Sequence, residues 1–384
     1  MKKTILVFIG HYLPGYKSGG PVRTISNMLD LLGDEFNFLI VTRDRDSLDN
    51  NPYENIKVNE WNNGPNCKIF YANKISSLRK VINNTEFDQY YLNSLFDFNY
   101  STKIVLLYSL KLIPQKPILL APRGELMEGA LSIKSFKKNI FLIVVKLLKL
   151  YKKVTWHASS EYEAKDIRRE FGNNTKIKIA LDVPNYNLKK DYERTHKKEK
   201  GKLKILFISS IVPKKNLKFA IQVLNKVKGD FTFDIYGPIK DKKYWKECLN
   251  AIDVRVKNRV NYKGVIPNDQ IHNVYPNYDL FFFPTLGENY GHVIYESLFY
   301  KCPILCSNLT PWDKLNHFNA GLACPLNEHE RFSTFIEYLI SLSELKFKQY
   351  IFGTQKYIEL IKILKSYSTT TTLFTNHEHY TDNI

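Results

Sequence analysis

The chain has 384 residues, 44% of them hydrophobic and 24% charged; this excludes a disordered polypeptide and, at roughly 100–200 residues per domain, predicts two domains. Its net charge of +18 points to a polyanionic partner, whether nucleic acid, anionic membrane or phosphorylated substrate. Five cysteines with no C-x-x-C pair argue against zinc and fit a reducing compartment, and no run reaches the ~18 apolar residues that a membrane span needs.

Met1-Lys2-Lys3 and the apolar residues behind them imitate the start of a secretory signal, but the run stops at Gly10-His11, too soon for one. It reads instead as a buried strand over 5–9. The loop after it carries Gly10, Gly15, Gly19 and Gly20 and opens a helix over 22–32. Gly19 and Gly20 would let backbone approach a ligand, although the spacing is not the G-x-G-x-x-G of a dinucleotide site. A strand over 38–42 leads to Asp44-Arg45-Asp46, a D-x-D that reads as a solvated turn; no metal is assigned to it.

Strands over 90–93 and 118–121 follow, the second running into Arg123. Residues 131–154 carry seven lysines and no acid, with an apolar core at 140–145, in a helix over 134–151. An apolar face with a cationic rim suits an anionic membrane surface; the other reading is a domain helix whose polar face is basic. A strand over 154–158 contains His157, either a hydrogen-bonded core residue or a substrate contact, and a helix over 161–171 follows.

Residues 189–204 hold eight Lys and Arg against three acids and read as an exposed linker. Beyond it the alternation restarts: strand 205–209, helix 217–227, strand 231–236, helix 243–252, strand 280–284, helix 292–300 and strand 304–306. Such alternation predicts an α/β protein of two doubly wound, Rossmann-like halves with helices on both faces of parallel sheets and ligand at the carboxyl ends of the strands. The boundaries expected are 1–188 for an acceptor-side domain, 189–203 for the linker, 204–365 for a donor domain and 366–384 for a weakly ordered polar tail.

Two segments of the second half carry candidate chemistry. Strand 205–209 leads to Lys214 and Lys215, either of which can meet phosphate oxygens. Strand 280–284 leads through a glycine-bearing turn to a helix. Glu288 lies in the turn and Glu296, eight residues on, in the second turn of that helix. The backbone of Asn289, Tyr290 and Gly291 at the helix start is suited to an anion such as a diphosphate. The plain alternative is a strand–turn–helix with two solvated acids.

Taken together, these segments resemble glycosyltransferase family 4, retaining enzymes of GT-B fold. The Glu288…Glu296 pair matches its E-x7-E motif, 18–28 its glycine loop, 121–131 the P-R-G segment of its polysaccharide-assembly members, 156–167 their H-A-S/T-x-x-E segment, and 307–315 their T-P-W block. The resemblance runs from about residue 5 to 340. It implies that Glu288 contacts the transferred sugar, Glu296 the nucleotide ribose, Lys215 the diphosphate, and Gly19 and Gly20 the donor; Arg123 would face a donor or acceptor phosphate. It implies a nucleotide-sugar donor, a glycan or lipid-diphosphate-linked acceptor, docking at the inner membrane face from the cytoplasm, no cofactor, no metal and no nucleic acid. One departure stands out: Ser209-Ser210 occupy the place of the family's Gly-Arg. Lys214 is the nearest substitute cation, and a nucleotide-sugar-binding partner protein without transferase activity is the alternative.

Overall fold

The computed structural model describes residues 2–74, 76–132, 135–186, 188–189, 194, 196–364 and 370–375. The chain forms two compact units, one of residues 1–185 together with 365–384, the other of residues 186–364.

Among the described residues, unit 1 is built on eight strands: β1 (Lys3–Phe8), β2 (Phe36–Arg43), β3 (Trp61–Gly64), β4 (Cys67–Ala72), β5 (Gln89–Asn93), β6 (Ile118–Ala121), β7 (Val154–Ala158) and β8 (Ile177–Ile179), in the order β3-β4-β2-β1-β5-β6-β7-β8. All pair in parallel except β3 with β4. Strands β5 and β6 are buried along their whole length, as expected of inner strands covered on both faces. The covering helices are α1 (Gly20–Leu32), α2 (Ser77–Asn83), α3 (Lys103–Ser109), α4 (Glu128–Leu131), α5 (Ser135–Leu147) and α6 (Glu161–Phe171). Gly19 holds φ at 76° before α1 and Pro21 sits in its first turn, the ordinary place for a residue without an N–H.

Unit 2 has the order β11-β10-β9-β12-β13-β14, all parallel, from β9 (Lys202–Ile208), β10 (Asp230–Tyr236), β11 (Val260–Gly264), β12 (Leu280–Phe283), β13 (Ile304–Ser307) and β14 (Gly321–Cys324). Its helices are α7 (Leu217–Leu224), α8 (Lys242–Asn250), α9 (His292–Phe299), α10 (His329–Ser341) and α11 (Glu344–Leu364). The sheets are sequence-nonlocal; the expected alternation of strand and helix is what assembles them. In each, strand order reverses once, between β1 and β5 and between β9 and β12. Loops leaving the carboxyl ends of such a pair part to opposite faces and leave a crevice.

Four readings are corrected. The basic helix is shorter than 134–151: Lys149, at φ 49°, ends it in a left-handed turn after Leu147. Lys134 lies outside the described residues. Asp44 and Asp46 are not a solvated turn, being 3% and 4% exposed. The Asp46 carboxylate accepts the N–H groups of Tyr16, Lys17 and Ser47, so it holds the glycine loop in place. The linker is not solvated throughout: Arg194 and His196 bond the buried Asp279, at 3.2 and 3.0 Å, and Lys198 is 5% exposed. Finally, part of the polar tail is core. Phe374 is 1% exposed and meets Phe36, Phe38 and Tyr91 edge-on, while Lys3 and Lys178 donate to the carbonyls of Thr372, Phe374 and Thr375.

Candidate functional site

The strongest cluster lies where the order of the unit 2 sheet reverses. After β9 the chain makes a tight turn, Pro213–Lys215, and Asn216 at φ 58° leads into α7. After β12 it runs through Pro284 to Gly291. The two loops are laced together: Leu286 N–H and the Thr285 hydroxyl both donate to the Lys214 carbonyl, at 2.8 and 3.1 Å. A third loop, after β13, joins them, since Glu288 N–H donates to Leu309 O at 3.0 Å and the Ser307 hydroxyl to Thr285 O at 2.5 Å. Backbone bonds from three sheet loops thus fix the base of the cluster before any ligand arrives.

On this base, Lys215 Nζ lies 2.5 Å from Glu288 Oε1 and 5.4 Å from the centre of the Phe283 ring. The Thr285 hydroxyl lies 2.9 Å from the same Oε1, so its single proton is shared between that carboxylate and the Lys214 carbonyl. Burial opposes ionisation of Glu288, but the charges of Lys215 and Lys214 outweigh it and hold the carboxyl below its usual range. Lys214 therefore acts on the site electrostatically. Ser210, two residues past β9, offers no charge there. The adjacent Gly237, at φ 137°, is obligatory, because a Cβ would lie 1.9 Å from Ser209 O.

Gly291, at φ 79°, is the residue before α9, and its carbonyl takes Ile294 N–H at 2.8 Å. Tyr290 is buried against Trp312 and His292, with its carbonyl bonded by the Trp312 indole N–H. Residues 289–291 thus deliver the chain to the positive end of α9. Glu296 sits one turn inside, 4% exposed, and its Oε2 is 3.5 Å from the Tyr275 hydroxyl. Of the residues singled out in this half, the structure gathers Lys214, Lys215 and Glu288 and buries Glu296. Thr285 was missed; its place between β12 and Glu288 was the available signal.

In unit 1, Gly19 precedes α1 and Gly20 opens it, and a Cβ at either would meet nothing within 4 Å. Open space, rather than packing, surrounds them. Arg123 and His157, expected as possible substrate contacts, are engaged within unit 1. The Arg123 side chain is 6% exposed and spans Asp182 at 2.6 Å, Asn93 and the Tyr91 hydroxyl. His157 bonds the same hydroxyl at 2.7 Å and Ala180 O at 2.8 Å. Burial and the Arg123 charge push its pKa down to about 4, so the ring is neutral at pH 7. Glu163 closes this network by accepting Gly124 N–H and Ser159 N–H, at 2.6 and 2.8 Å. Nothing local in the sequence identifies Tyr91, Asn93 and Asp182 as its other members. A cavity of about 960 Å³ bordered by Lys3, Phe36, Asp88 and Phe374 lies at the amino ends of β1 and β5, away from these loops.

Among the described residues, no group of three or more His, Cys, Asp and Glu side chains is arranged to hold a metal ion, and no helix is long and apolar enough to cross a membrane.

Residues 188–354 match the sequence family "Glycosyl transferases group 1", and this stretch contains the whole Lys214–Lys215–Glu288–Glu296 set. The chain is 24% identical over 237 residues to an uncharacterized 41.2 kDa protein in the cps region of Klebsiella pneumoniae, covering 60% of this chain and 63% of that one. It is 22% identical over 200 residues to the GtfA subunit of the UDP-N-acetylglucosamine–peptide N-acetylglucosaminyltransferase of Streptococcus agalactiae, covering 49% and 38%. The match spans less than two thirds of either relative. In structure, the chain is similar to sucrose-phosphate synthase of Thermosynechococcus elongatus (TM-score 0.73, 12% identity, 97% of both chains covered) and to Anabaena HepE in complex with UDP and glucose (TM-score 0.66, 14% identity, 96% and 97% covered). Two Rossmann-like parallel sheets and these neighbours show the GT-B glycosyltransferase fold.

Proposed function

We propose that the chain, which carries a group 1 glycosyl transferase domain over residues 188–354, is a retaining hexosyltransferase. It moves a sugar from a nucleotide-diphosphate donor to a polysaccharide or lipid-diphosphate-linked oligosaccharide, in the synthesis of capsule, O-antigen or exopolysaccharide, at the cytoplasmic face of the inner membrane. One observation carries the reading: the Lys215–Glu288 pair, with Thr285 and Lys214, stands at the reversal point of a parallel sheet and beside the positive end of α9. The cps-region relative and the UDP and glucose held by HepE agree with it.

In the mechanism, Lys215 exchanges Glu288 for the donor diphosphate, and Glu288 accepts a hydroxyl of the transferred sugar. Glu296 takes the ribose hydroxyls. Departure of the diphosphate through an oxocarbenium-like state requires its charge to be held more than it requires a nucleophile. Lys215, Lys214 and the N-terminal end of α9 supply that field in a site fixed beforehand. Lys214 stands in for the cation that relatives of this kind carry where Ser210 lies. This donor set needs no divalent ion.

The test is incubation of the full chain with UDP-, GDP- and dTDP-sugars in the presence of EDTA, with mass spectrometry of released nucleotide and product. Consumption of one donor is expected, and its loss in Lys215→Ala. Binding of a nucleotide sugar without turnover would select the second reading, a nucleotide-sugar-binding partner protein, which the absence of a cation at Ser210 favours. Absence of binding would overturn both.

A further inference from the structure

The outer face of α5 carries large apolar side chains that no other described residue covers. Phe136 is 77% exposed, Ile140 46%, Ile143 57%, Val144 46% and Leu147 76%, and Leu148 just beyond is 65% exposed. At 100° per residue, positions 136, 140, 143, 144 and 147 fall within an arc of about 100°, one continuous stripe. The opposite side is the one that packs: Leu142 and Val145 are each 4% exposed within the core of unit 1, and Phe141 meets Phe96 edge-on. The helix is therefore apolar on both sides and satisfies only one of them within its unit. A solvated helix of a water-soluble unit does not need five such residues in register.

Charge decides what fits the stripe. Residues 131–154 contain no acid. Lys137 follows one edge of the arc, and Lys149, Lys152 and Lys153 cluster beyond the end of the helix; all four are exposed. Lys146, on the other edge, is tied to Glu170 at 2.7 Å and contributes less free charge. Lys138 points back to Ala130 O and the Phe96 ring, which removes it from the rim. An apolar stripe bordered by lysines complements an interface whose interior is hydrocarbon and whose surface is anionic.

We propose that α5 docks the protein on an anionic bilayer, with Phe136, Ile140, Ile143, Val144 and Leu147 sunk among the acyl chains and the lysines on the headgroups. The proposal rests on the transferase reading only in that it names the surface where a lipid-linked acceptor would be met. Because both the stripe and the rim contribute, binding has a salt-sensitive part and a remainder that persists when charges are screened.

Pelleting of the full chain with phosphatidylglycerol–phosphatidylcholine vesicles at 0.1 M and 0.5 M salt tests this without reading sugar transfer, so either proposal can fail alone. Partition into the anionic vesicles is expected, reduced but not abolished at high salt. The triple variant Ile140→Ser, Ile143→Ser, Leu147→Ser should lower partition at least tenfold at both salts while its circular dichroism and melting temperature stay those of the parent. Lys137→Glu with Lys149→Glu should remove mainly the salt-sensitive part. A triple variant that pellets as the parent does would overturn the proposal. So would a concentration-dependent dimer, seen by sedimentation, that the triple variant dissolves, since a second copy would then be what covers the stripe.

Discussion

Replacing Lys215 by Met probes the candidate site and the stability of unit 2 together. The pair it breaks is short, at 2.5 Å, with the Lys215 side chain 22% exposed and that of Glu288 11%. Breaking a fully buried ion pair costs about 3–5 kcal/mol, and an exposed one contributes about 0–1 kcal/mol. At this depth, with Thr285 and Lys214 still acting on Glu288, a loss of about 2 kcal/mol is expected. For a unit of this size that lowers the melting temperature by about 4–8 °C. The pH dependence has a definite sign. Glu288 is held below its usual range in the folded protein, so its contribution is complete above about pH 4.3 and is lost as pH falls through its folded value; Lys215→Met should flatten that acid-side loss. A double-mutant cycle with Glu288→Gln should give a coupling of about 1 kcal/mol or more. Calorimetry should show nucleoside-diphosphate affinity falling about 10–100-fold, the value of a charge-assisted hydrogen bond, with little change for the nucleoside alone. Coupling under about 0.5 kcal/mol, or equal losses for both ligands, would refute the argument.

Unit 1 yields further expectations. His157 refuses a proton until about pH 4 in the folded state but takes one near 6.5 when unfolded, so stability should fall between pH 6.5 and 4, by up to about 3 kcal/mol, and thermal melts of His157→Gln should lack that slope. Phe374→Ala should cost about 3–5 kcal/mol by denaturant titration, because three rings close around it. Asp46→Asn should speed hydrogen exchange of residues 16 and 17 and cost about 1–3 kcal/mol, since the amide cannot accept the same N–H groups. Gly20→Ala should leave stability within about 0.5 kcal/mol in thermal melts, as a Cβ there meets nothing; a larger loss would show that the loop is packed.

Much of this architecture was legible because parallel sheets write themselves as short apolar runs separated by amphipathic helices. Strands β1, β2, β5, β6, β7, β9, β10, β12 and β13 all fall on such runs. What escaped was marginal in pattern or decided at long range. The β3–β4 ribbon, Trp61 to Ala72, opens with polar residues, and β14 is only Gly-Leu-Ala-Cys. Around Glu288 the sequence already placed Glu288 and both lysines in loops that follow strands, with Glu296 in the next helix, because the chemistry lies close to strand ends. The network around Arg123 was not legible for the opposite reason. Its partners come from Tyr91, Asn93 and Asp182, on separate elements, and an arginine in a loop looks the same from its neighbours whether it faces solvent or an inward carboxylate. Asp46 was lost in the same way, its burial being imposed by residues 16 and 17.

The placement of Phe374 has a consequence for how the protein is made. Residues 1–185 leave the ribosome first, yet the hydrophobic interior they enclose is not sealed until residue 374 has been synthesised. In between, residues 186–364 can complete a sheet of their own. The nascent amino-terminal unit must therefore wait through the translation of about 190 further codons, about 10–40 s at elongation rates of about 5–20 residues per second, with the seat of an aromatic plug exposed between Phe36, Phe38 and Tyr91. Expressing residues 1–185 alone would make that waiting state permanent, so dissection of this protein into workable halves calls for grafting residues 370–375 back onto the first.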